Sequence, residues 1–163
     1  MKVSVIIPTH GRPELLERTL NSVIQQTYKN LEIIVVSDGF NEKTNELMDS
    51  FPGIKYYFYK YSRGANFARN YGVDKSISDV VAFLDDDDQW EPQKVEKQIS
   101  ILSEKPKVGL VYTGNKQVYE DSNISFTYTP TESGDLSEKI FQKNFVGSTS
   151  SVLIKNHMER NLL

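Results

Sequence analysis

Short, wholly apolar segments that alternate with amphipathic ones constrain this fold more than any other feature of the sequence. Strands are predicted at residues 3–8, 31–37, 54–59, 79–84 and 107–113. Residues 33–36 offer no polar position, so a strand there must be covered on both faces. Strands that alternate with helices at this spacing form parallel βαβ units. The sequence therefore predicts an α/β fold, a three-layer open and mostly parallel sheet with helices on both faces.

The intervening segments carry helical signals. Helices are predicted at residues 12–26, 42–50 and 64–75, and a fourth from Pro92. Pro13 suits the first helical position, and Leu16, Leu20 and Val23 share one apolar face. Beyond residue 114 the pattern loosens into an exposed strand (123–129), a loop (130–134), a short helix (136–141) and a strand (150–154).

Four consecutive aspartates, Asp85 to Asp88, follow the fourth predicted strand. Adjacent carboxylates repel one another when all are ionised, and a divalent cation that shares its ligands with a phosphate removes that cost. The alternative is a solvated acidic turn. Because the run lies between a core strand and Trp90, metal and phosphate chemistry is the favoured reading.

The topology of such sheets brings this run close to other polar residues. Right-handed crossovers and sequential adjacency favour the strand order 3-2-1-4, and ligands bind where that order reverses, outside the carboxyl ends of the strands. Residues 9–12, Asp38 and the aspartates would then line one crevice. This arrangement suits a nucleoside diphosphate, with Asp38 at the base or ribose and the aspartates at the metal and phosphates.

Several neighbouring residues have two readings. The helix start at Gly64, with Arg63 and Arg69, either binds an anion or presents solvent-facing charge. Trp90 either flanks an acceptor or anchors its loop to the core. A lone histidine such as His10 is more often hydrogen-bonded than catalytic. Residues 56–61 are rich in tyrosine, which favours an outer strand over a stacking surface.

Composition limits the function classes. The 163 residues predict a single domain, residues 1–163, with a βα core at 1–113 and a second region at 114–163. A net charge of −3 does not indicate the basic surface that binding to nucleic acid requires. With no cysteine there are no disulfides or thiolate metal sites, and no apolar run approaches the roughly 20 residues that span a bilayer. A cytoplasmic protein, with possible peripheral association at the inner face of a membrane, is expected.

Taken together, the motifs resemble one known family. They are residues 3–9 (VSVIIPT), 26–28 (QTY) before 31–39 (LEIIVVSDG), Gly64 with 68–70 (ARN) and Gly72, and 83–90 (FLDDDDQW) with Pro92. In this order they resemble family-2 glycosyltransferases of the type A nucleotide-sugar fold, which is Rossmann-like. The resemblance covers roughly residues 1–155.

The resemblance implies transfer of a sugar, with inversion, from a nucleotide-diphosphate donor to a saccharide, lipid-linked or polymer acceptor, as in cell-wall or polysaccharide biosynthesis. A UDP-sugar is the first expectation for the donor. Mg²⁺ or Mn²⁺ is the implied cofactor, with Asp87 as its direct ligand. The residues expected at the nucleotide are Thr9, Arg12, Asp38, Arg69, Asp85 and Asp86.

The sequence departs from the family at two places. Ser62 stands where asparagine is common. The family's catalytic base is a carboxylate, usually in an acidic pair well downstream of residues 150–154, and the only acid after Glu138 is Glu159, in a segment that corresponds to a surface helix. The base is therefore expected beyond Leu163, the C-terminal part is expected to be truncated, and this chain alone is expected to transfer sugar poorly.

Two other function classes remain open at this stage. One is a nucleotide- and metal-binding module without turnover. The other is a phosphoryl-accepting receiver domain, which needs an acidic pair directly after the first strand, where this chain has Thr9, His10 and Gly11. That mismatch disfavours the receiver.

Overall fold

The computed structural model describes residues 1–119, 122 and 124–156. Its strands are β1 (Val3–Thr9), β2 (Leu31–Ser37), β3 (Lys55–Phe58), β4 (Val80–Phe83), β5 (Leu110–Tyr112), β6 (Asn115–Tyr119), β7 (Ile124–Tyr128) and β8 (Val152–Lys155). Its helices are α1 (Pro13–Ile24), α2 (Glu42–Asp49), α3 (Ala65–Lys75) and α4 (Lys94–Glu104), with 3₁₀ turns at Lys139–Phe141 and Thr149–Ser151. The alternation of strands and helices predicted for the first 113 residues is confirmed.

Six strands form one sheet in the order β3-β2-β1-β4-β8-β5. Strands β1 to β4 are parallel, so the predicted 3-2-1-4 order is confirmed. The register pairs Thr9 with Ser37 and Ile6 with Phe83. The loops that leave β1, β2 and β4 therefore start side by side at the edge of the sheet where the order reverses.

The second region of the chain returns to this sheet. Strand β8 pairs antiparallel with both β4 and β5, so it lies between two strands that are close in sequence. Its apolar pattern predicted a strand, but its position rests on a long-range pairing that no local pattern encodes. Strands β6 and β7 form a separate antiparallel hairpin. The sequence predicted the second of these strands and missed β6 (Asn115–Tyr119), which begins with three polar residues and is mostly exposed.

The sheet is covered on both faces, as predicted. On one face α1, α2 and α4 bury side chains against β1, β4 and β8, among them Leu16, Met48 and Val95. On the other face α3 packs over Ile6 and β2. The three layers exclude water from both sides of the central strands, and this explains their unbroken apolar sequences.

Some predicted boundaries shift. The helix predicted at residues 136–141 is reduced to the 3₁₀ turn Lys139–Phe141, where Phe141 is 90% exposed, because this segment has no core to bury its apolar side chains. Glu159, the acid considered above as a base, and residue 123, the first of the predicted strand 123–129, lie outside the described residues. Within the described part of the chain, no helix is long and apolar enough to cross a membrane.

Gly72 allows α3 to approach the sheet closely. A Cβ at this position would lie 2.4 Å from Cγ2 of Ile6, a fully buried side chain with no room to move. Gly72→Ala should therefore force α3 outward and lower the free energy of unfolding by about 1–2 kcal/mol, after the gain in helix propensity. Chemical denaturation measures this change.

The matched control is Gly53→Ala, because a Cβ there meets nothing within 4 Å. Its unfolding free energy should change by less than about 0.5 kcal/mol. Equal stability of the two variants would mean that the contact between α3 and Ile6 is not tight.

Candidate active site

The four aspartates leave the carboxyl end of β4 in a tight turn, in which the backbone N–H of Asp88 donates to the carbonyl of Asp85 at 3.0 Å. The turn separates their side chains. Asp86 is only 1% exposed, whereas Asp87 is 48% exposed. The acidic run therefore presents carboxylates at different depths instead of one solvated patch.

Asp86 is the innermost carboxylate and is held from the loop after β1. The hydroxyl of Thr9 donates to its Oδ2 at 2.6 Å. The guanidinium of Arg12 donates to both of its oxygens, from Nε at 3.3 Å to Oδ2 and from a terminal nitrogen to Oδ1. Such a forked pairing fixes the geometry as well as the charge. Thr9 and Arg12, which were predicted to share a crevice with the aspartates, thus both contact Asp86.

Arg12 also reaches the next aspartate. A second terminal nitrogen donates to Oδ2 of Asp87 at 3.0 Å. Burial lowers the pKa of Arg12, but attraction and hydrogen bonds to Asp86 and Asp87 outweigh that effect and raise the pKa above its ordinary value. Arg12 therefore stays positively charged between two carboxylates.

Asp85 is held from the opposite face of the sheet. Arg69 of α3 donates to its Oδ1 at 2.6 Å and also to Oδ1 of Asn66 at 3.0 Å. The Nε of Arg69 is buried and has no hydrogen-bond partner among the described residues. Because a buried donor without a partner is costly, a ligand oxygen at this atom would be favourable. This orphaned donor next to the aspartates fits an anionic ligand.

Asp38 binds the segment that leads into α3. Its carboxylate accepts from Tyr59 Oη at 2.6 Å and from Ser62 Oγ at 2.7 Å. It also accepts from the backbone N–H groups of Arg63 at 2.7 Å and Gly64 at 3.0 Å. Burial alone would raise the pKa of Asp38, but these four donors outweigh it and lower the pKa to about 2.

This arrangement bears on two sequence expectations. Two alternatives were left open for the start of α3, anion binding and solvent-facing charge, and in the structure the backbone N–H groups of Arg63 and Gly64 bind the carboxylate of Asp38. The predicted contact of Asp38 with a nucleotide stays a prediction, and it requires one of the four donors to leave. His10, whose Nδ1 hydrogen-bonds the carbonyl of Asp38, is confirmed as a hydrogen-bonded loop residue.

Helix α1 and Gln26, just beyond its end, anchor the acidic loop on the side away from the carboxylates. The Thr19 hydroxyl donates to the carbonyl of Asp88 at 2.8 Å, and buried Gln26 donates to the carbonyl of Glu91 at 2.8 Å. Trp90 is buried, and its indole N–H donates to the carbonyl of Ser150 at 2.8 Å. The interpretation that Trp90 anchors its loop to the core is therefore correct. These bonds hold the aspartates in place before any ligand arrives.

The charge of this site fits one divalent cation. The four aspartates have a formal charge of −4, and Arg12 and Arg69, which pair with three of them, return +2, so these six side chains sum to −2, with Arg18 on the wall of the adjoining cleft. No group of three or more metal-ligating side chains occurs among the described residues. A cation here would take one or two aspartates from the protein and its remaining ligands from phosphate and water, as Mg²⁺ does in phosphate sites. Asp87, the more exposed carboxylate, is open to such an ion.

A cleft of about 540 Å³ lies beside the aspartates. It is bounded by α1, the aspartates and the β6–β7 hairpin, through Leu15, Arg18, Asp87, Asp88, Val118, Tyr119 and Ser122. The two ends of the acidic run therefore face different surroundings. Asp85 and Asp86 pair with Arg69 and Arg12 over the sheet, Asp88 lines this cleft, and Asp87 both pairs with Arg12 and lines the cleft.

Sequence reasoning missed some supporting residues. The hydroxyl oxygen of Ser150 accepts from the backbone N–H of Asp85 at 3.0 Å, and Tyr59 and Ser62 donate to Asp38. Each acts across 21 or more residues of sequence, and the positions carry no motif. Only Ser62 had a signal, because it stands at a position where the resembled family often has asparagine.

Comparison with known proteins identifies the family of this chain. A family model described as Glycosyl transferase family 2 matches residues 4–158, nearly the whole chain. The chain belongs to glycosyl transferase family 2. This assignment, with the mismatch after β1, sets aside the receiver-domain alternative.

Relatives of this family-2 chain carry matching names. An uncharacterised glycosyltransferase of Rickettsia typhi is 35% identical over 131 residues, which cover 80% of this chain and 41% of the relative. The GalNAc(5)-diNAcBac-PP-undecaprenol β-1,3-glucosyltransferase of Campylobacter jejuni is 32% identical over 168 residues, which cover 97% of this chain and 53% of the relative. The family-2 chain thus spans about half the length, or less, of these relatives.

Solved structures share the fold. Staphylococcus aureus TarS, in complex with UDP-GlcNAc, aligns with a TM-score of 0.60 at 24% identity, covering 64% of this chain and 32% of that one. Mannosyltransferase PcManGT from Pyrobaculum calidifontis, in complex with GDP-Man and Mn²⁺, gives the same TM-score and identity and covers 69% and 35%. The family-2 chain therefore has the type A glycosyltransferase fold.

The hydrogen bonds to Asp38 predict a pH-dependent stability. The carboxylate has a pKa of about 2 in the folded protein, against about 4 in an unfolded chain. Its contribution is therefore fully present above about pH 5 and is lost as the pH falls toward 2. Asp38→Asn should cost about 2–3 kcal/mol at pH 7, and the gap to the wild type should narrow between pH 5 and pH 2.

Denaturant titrations at several pH values measure this gap. Asp49→Asn, a change of an exposed aspartate at the end of α2, serves as the control and should cost less than about 0.5 kcal/mol. A pH-independent gap for Asp38→Asn would mean that the four donors do not favour the ionised carboxylate.

Proposed function

We propose that this chain binds a nucleotide-diphosphate sugar together with Mg²⁺ or Mn²⁺ and supports transfer of the sugar, with inversion, to an acceptor hydroxyl. The observation that carries the proposal is the meeting of Thr9, Arg12 and Arg69 with the aspartates where the strand order reverses. Open parallel sheets bind ligands at this edge. Membership of glycosyl transferase family 2 supports the reaction class.

Each side of the site has a proposed task. Asp87 would ligate the metal, and Asp85 or Asp86 would accept hydrogen bonds from the ribose. Arg12 and Arg69 would bind the diphosphate, because guanidinium groups pair with phosphate oxygens through two parallel donors. Thr9 fixes Asp86 beside them. Asp38 would contact the base or ribose from the end of β2.

The metal would act as a Lewis acid that neutralises charge on the departing diphosphate. The protein's own contribution is to hold the aspartates and arginines in position, through α1 and Trp90, before the donor binds. Preorganised charges of this kind stabilise charge that develops in a transition state without reorganising at that moment.

The proposed donor is a UDP-sugar. Solved structures of the same fold hold UDP-GlcNAc in one case and GDP-Man with Mn²⁺ in another, so the fold accommodates both uridine and guanosine nucleotides. We propose uridine first, on the resemblance of the sequence to the family.

The proposed acceptor is a saccharide, lipid-linked or polymeric, that enters from the side of the β6–β7 hairpin. The cleft beside Asp87 opens there, and the hairpin exposes Tyr119, Phe126 and Tyr128, whose aromatic faces suit sugar rings. One relative is named for a lipid-linked acceptor. A lipid-linked acceptor would bring the protein to a membrane surface.

Calorimetry with UDP, GDP and dTDP, each with and without Mn²⁺, tests the donor proposal. We expect UDP to bind at least ~10-fold more tightly with Mn²⁺ than without it, since metal and diphosphate share ligands. If none of the three nucleotides shows metal-dependent binding, the proposal is wrong. Binding with no release of sugar from UDP-sugars would instead favour a binding module without turnover.

Asp87→Asn tests the metal ligand. The change removes one ligand charge and retains the shape of the side chain, so Mn²⁺-dependent UDP binding should fall at least ~10-fold. The fold should survive, with a change in unfolding free energy within about 1 kcal/mol, because the pair of Asp87 with Arg12 is exposed. Calorimetry and denaturant titration measure the two effects.

Asp88→Asn is the matched control, since it removes the same charge one residue away. Its effect on Mn²⁺ dependence should be below ~3-fold, as expected for a change in field alone. Equal losses in the two variants would show that the acidic run acts by bulk charge and that Asp87 has no special role.

A further inference from the structure

Arg12 contacts Asp87, the carboxylate that is proposed to ligate the metal. Its guanidinium uses three nitrogen atoms to bridge two carboxylates, forked on both oxygens of Asp86 and single on Oδ2 of Asp87. A divalent cation bound by Asp87 would lie beside this guanidinium and would compete with it for the same carboxylate. Two cations cannot both lie against these oxygens without strong mutual repulsion.

The side chain of Arg12 can leave while its backbone stays. Its carbonyl accepts from the N–H of Leu16 at 3.0 Å as the first bond of α1, and Pro13 follows it directly. Gly11, with φ of 64°, turns the chain into this position. The Arg12 side chain is nevertheless 47% exposed, so it has open space to swing into on its flexible stem.

Arg69 differs in this respect. It is 19% exposed and is held between Asp85 and Asn66. It touches neither oxygen of Asp87 among the described contacts, so the arrival of a metal at Asp87 leaves its bonds intact. The two arginines are therefore not equivalent: of the two, Arg12 is the one that contacts the proposed metal ligand Asp87.

We propose that Arg12 is an exchangeable counter-ion, which holds Asp86 and Asp87 in the metal-free protein and moves to the donor diphosphate when a divalent cation arrives. This inference rests on the proposed function. Metal alone must displace Arg12 without compensation and therefore binds weakly. When a diphosphate is present, the displaced guanidinium gains a new anionic partner, so metal and nucleotide favour each other's binding.

The exchange makes the coupling between the two ligands measurable. Coupling is the factor by which UDP tightens Mn²⁺, and by linkage it equals the factor by which Mn²⁺ tightens UDP. Part of that factor arises because the diphosphate of UDP gives the displaced Arg12 guanidinium a new anionic partner. Removing the arginine should tighten Mn²⁺ alone, weaken UDP and shrink the coupling.

The experiment titrates Mn²⁺ by calorimetry and by electron paramagnetic resonance, with and without UDP. The proteins are wild type, Arg12→Gln, Arg12→Lys and, as a control for lost charge at the same cleft, Arg18→Gln. We expect Arg12→Gln to bind Mn²⁺ alone ~10-fold more tightly, UDP with Mn²⁺ at least ~3-fold more weakly, and the coupling factor to fall accordingly.

The other variants sharpen the result. Arg12→Lys retains the charge but not the fork, so its Mn²⁺ affinity should lie between those of the wild type and Arg12→Gln. Arg18→Gln should tighten Mn²⁺ by less than ~3-fold, through the field alone. Denaturant titration checks that each variant is folded, and Arg12→Lys carries the test if Arg12→Gln does not fold.

Two outcomes overturn the inference and separate it from the proposed function. If the wild type binds UDP in a Mn²⁺-dependent manner but the Arg12 variants bind Mn²⁺ alone no more tightly than the wild type or Arg18→Gln, the exchange is wrong and the function stands. If no protein binds Mn²⁺ with or without UDP, both fail.

Discussion

Accumulated negative charge at the end of a buried strand is the constraint on which the site depends. Four adjacent carboxylates follow β4, and two arginines from opposite faces of the sheet pair with them. Arg12 comes from the start of α1 and Arg69 from α3. Because charges are costly without partners in a partly buried site, the position of both helices is tied to the aspartates. The uncompensated charge is what suits the site to a divalent ion.

The acidic loop is held rigid by polar groups at its back. Trp90 is buried between the loop and β8, and the amine of Lys94 lies 4.0 Å from its ring centre. Burial lowers the pKa of Lys94 to about 7, and its Nζ donates to Gln98 Oε1 at 2.8 Å. Gln98 in turn donates to the carbonyls of Val111 and Ser151. This network joins α4, β5 and the turn before β8 under the site, so the far strands of the sheet support its geometry.

Part of this arrangement could be predicted because local sequence patterns encode it. The apolar runs and the helix start at Pro13 predicted β1 to β4 and α1, and topology rules then predicted that Thr9, Arg12 and the aspartates would meet. The partners of Asp38 could not be predicted, since Tyr59 and Ser62 carry no motif and act from a separate strand and loop. The predicted nucleotide and metal roles of these residues stay predictions.

The sequence by itself determined the α/β class, the order of the first four strands and the family, because periodicity, turn residues and short motifs are local properties. Only the tertiary structure decided that β8 inserts between β4 and β5, and that Arg12 rather than solvent neutralises Asp86 and Asp87. Both depend on contacts between residues that are distant in sequence. Packing and charge compensation select such contacts only when the whole sheet is assembled.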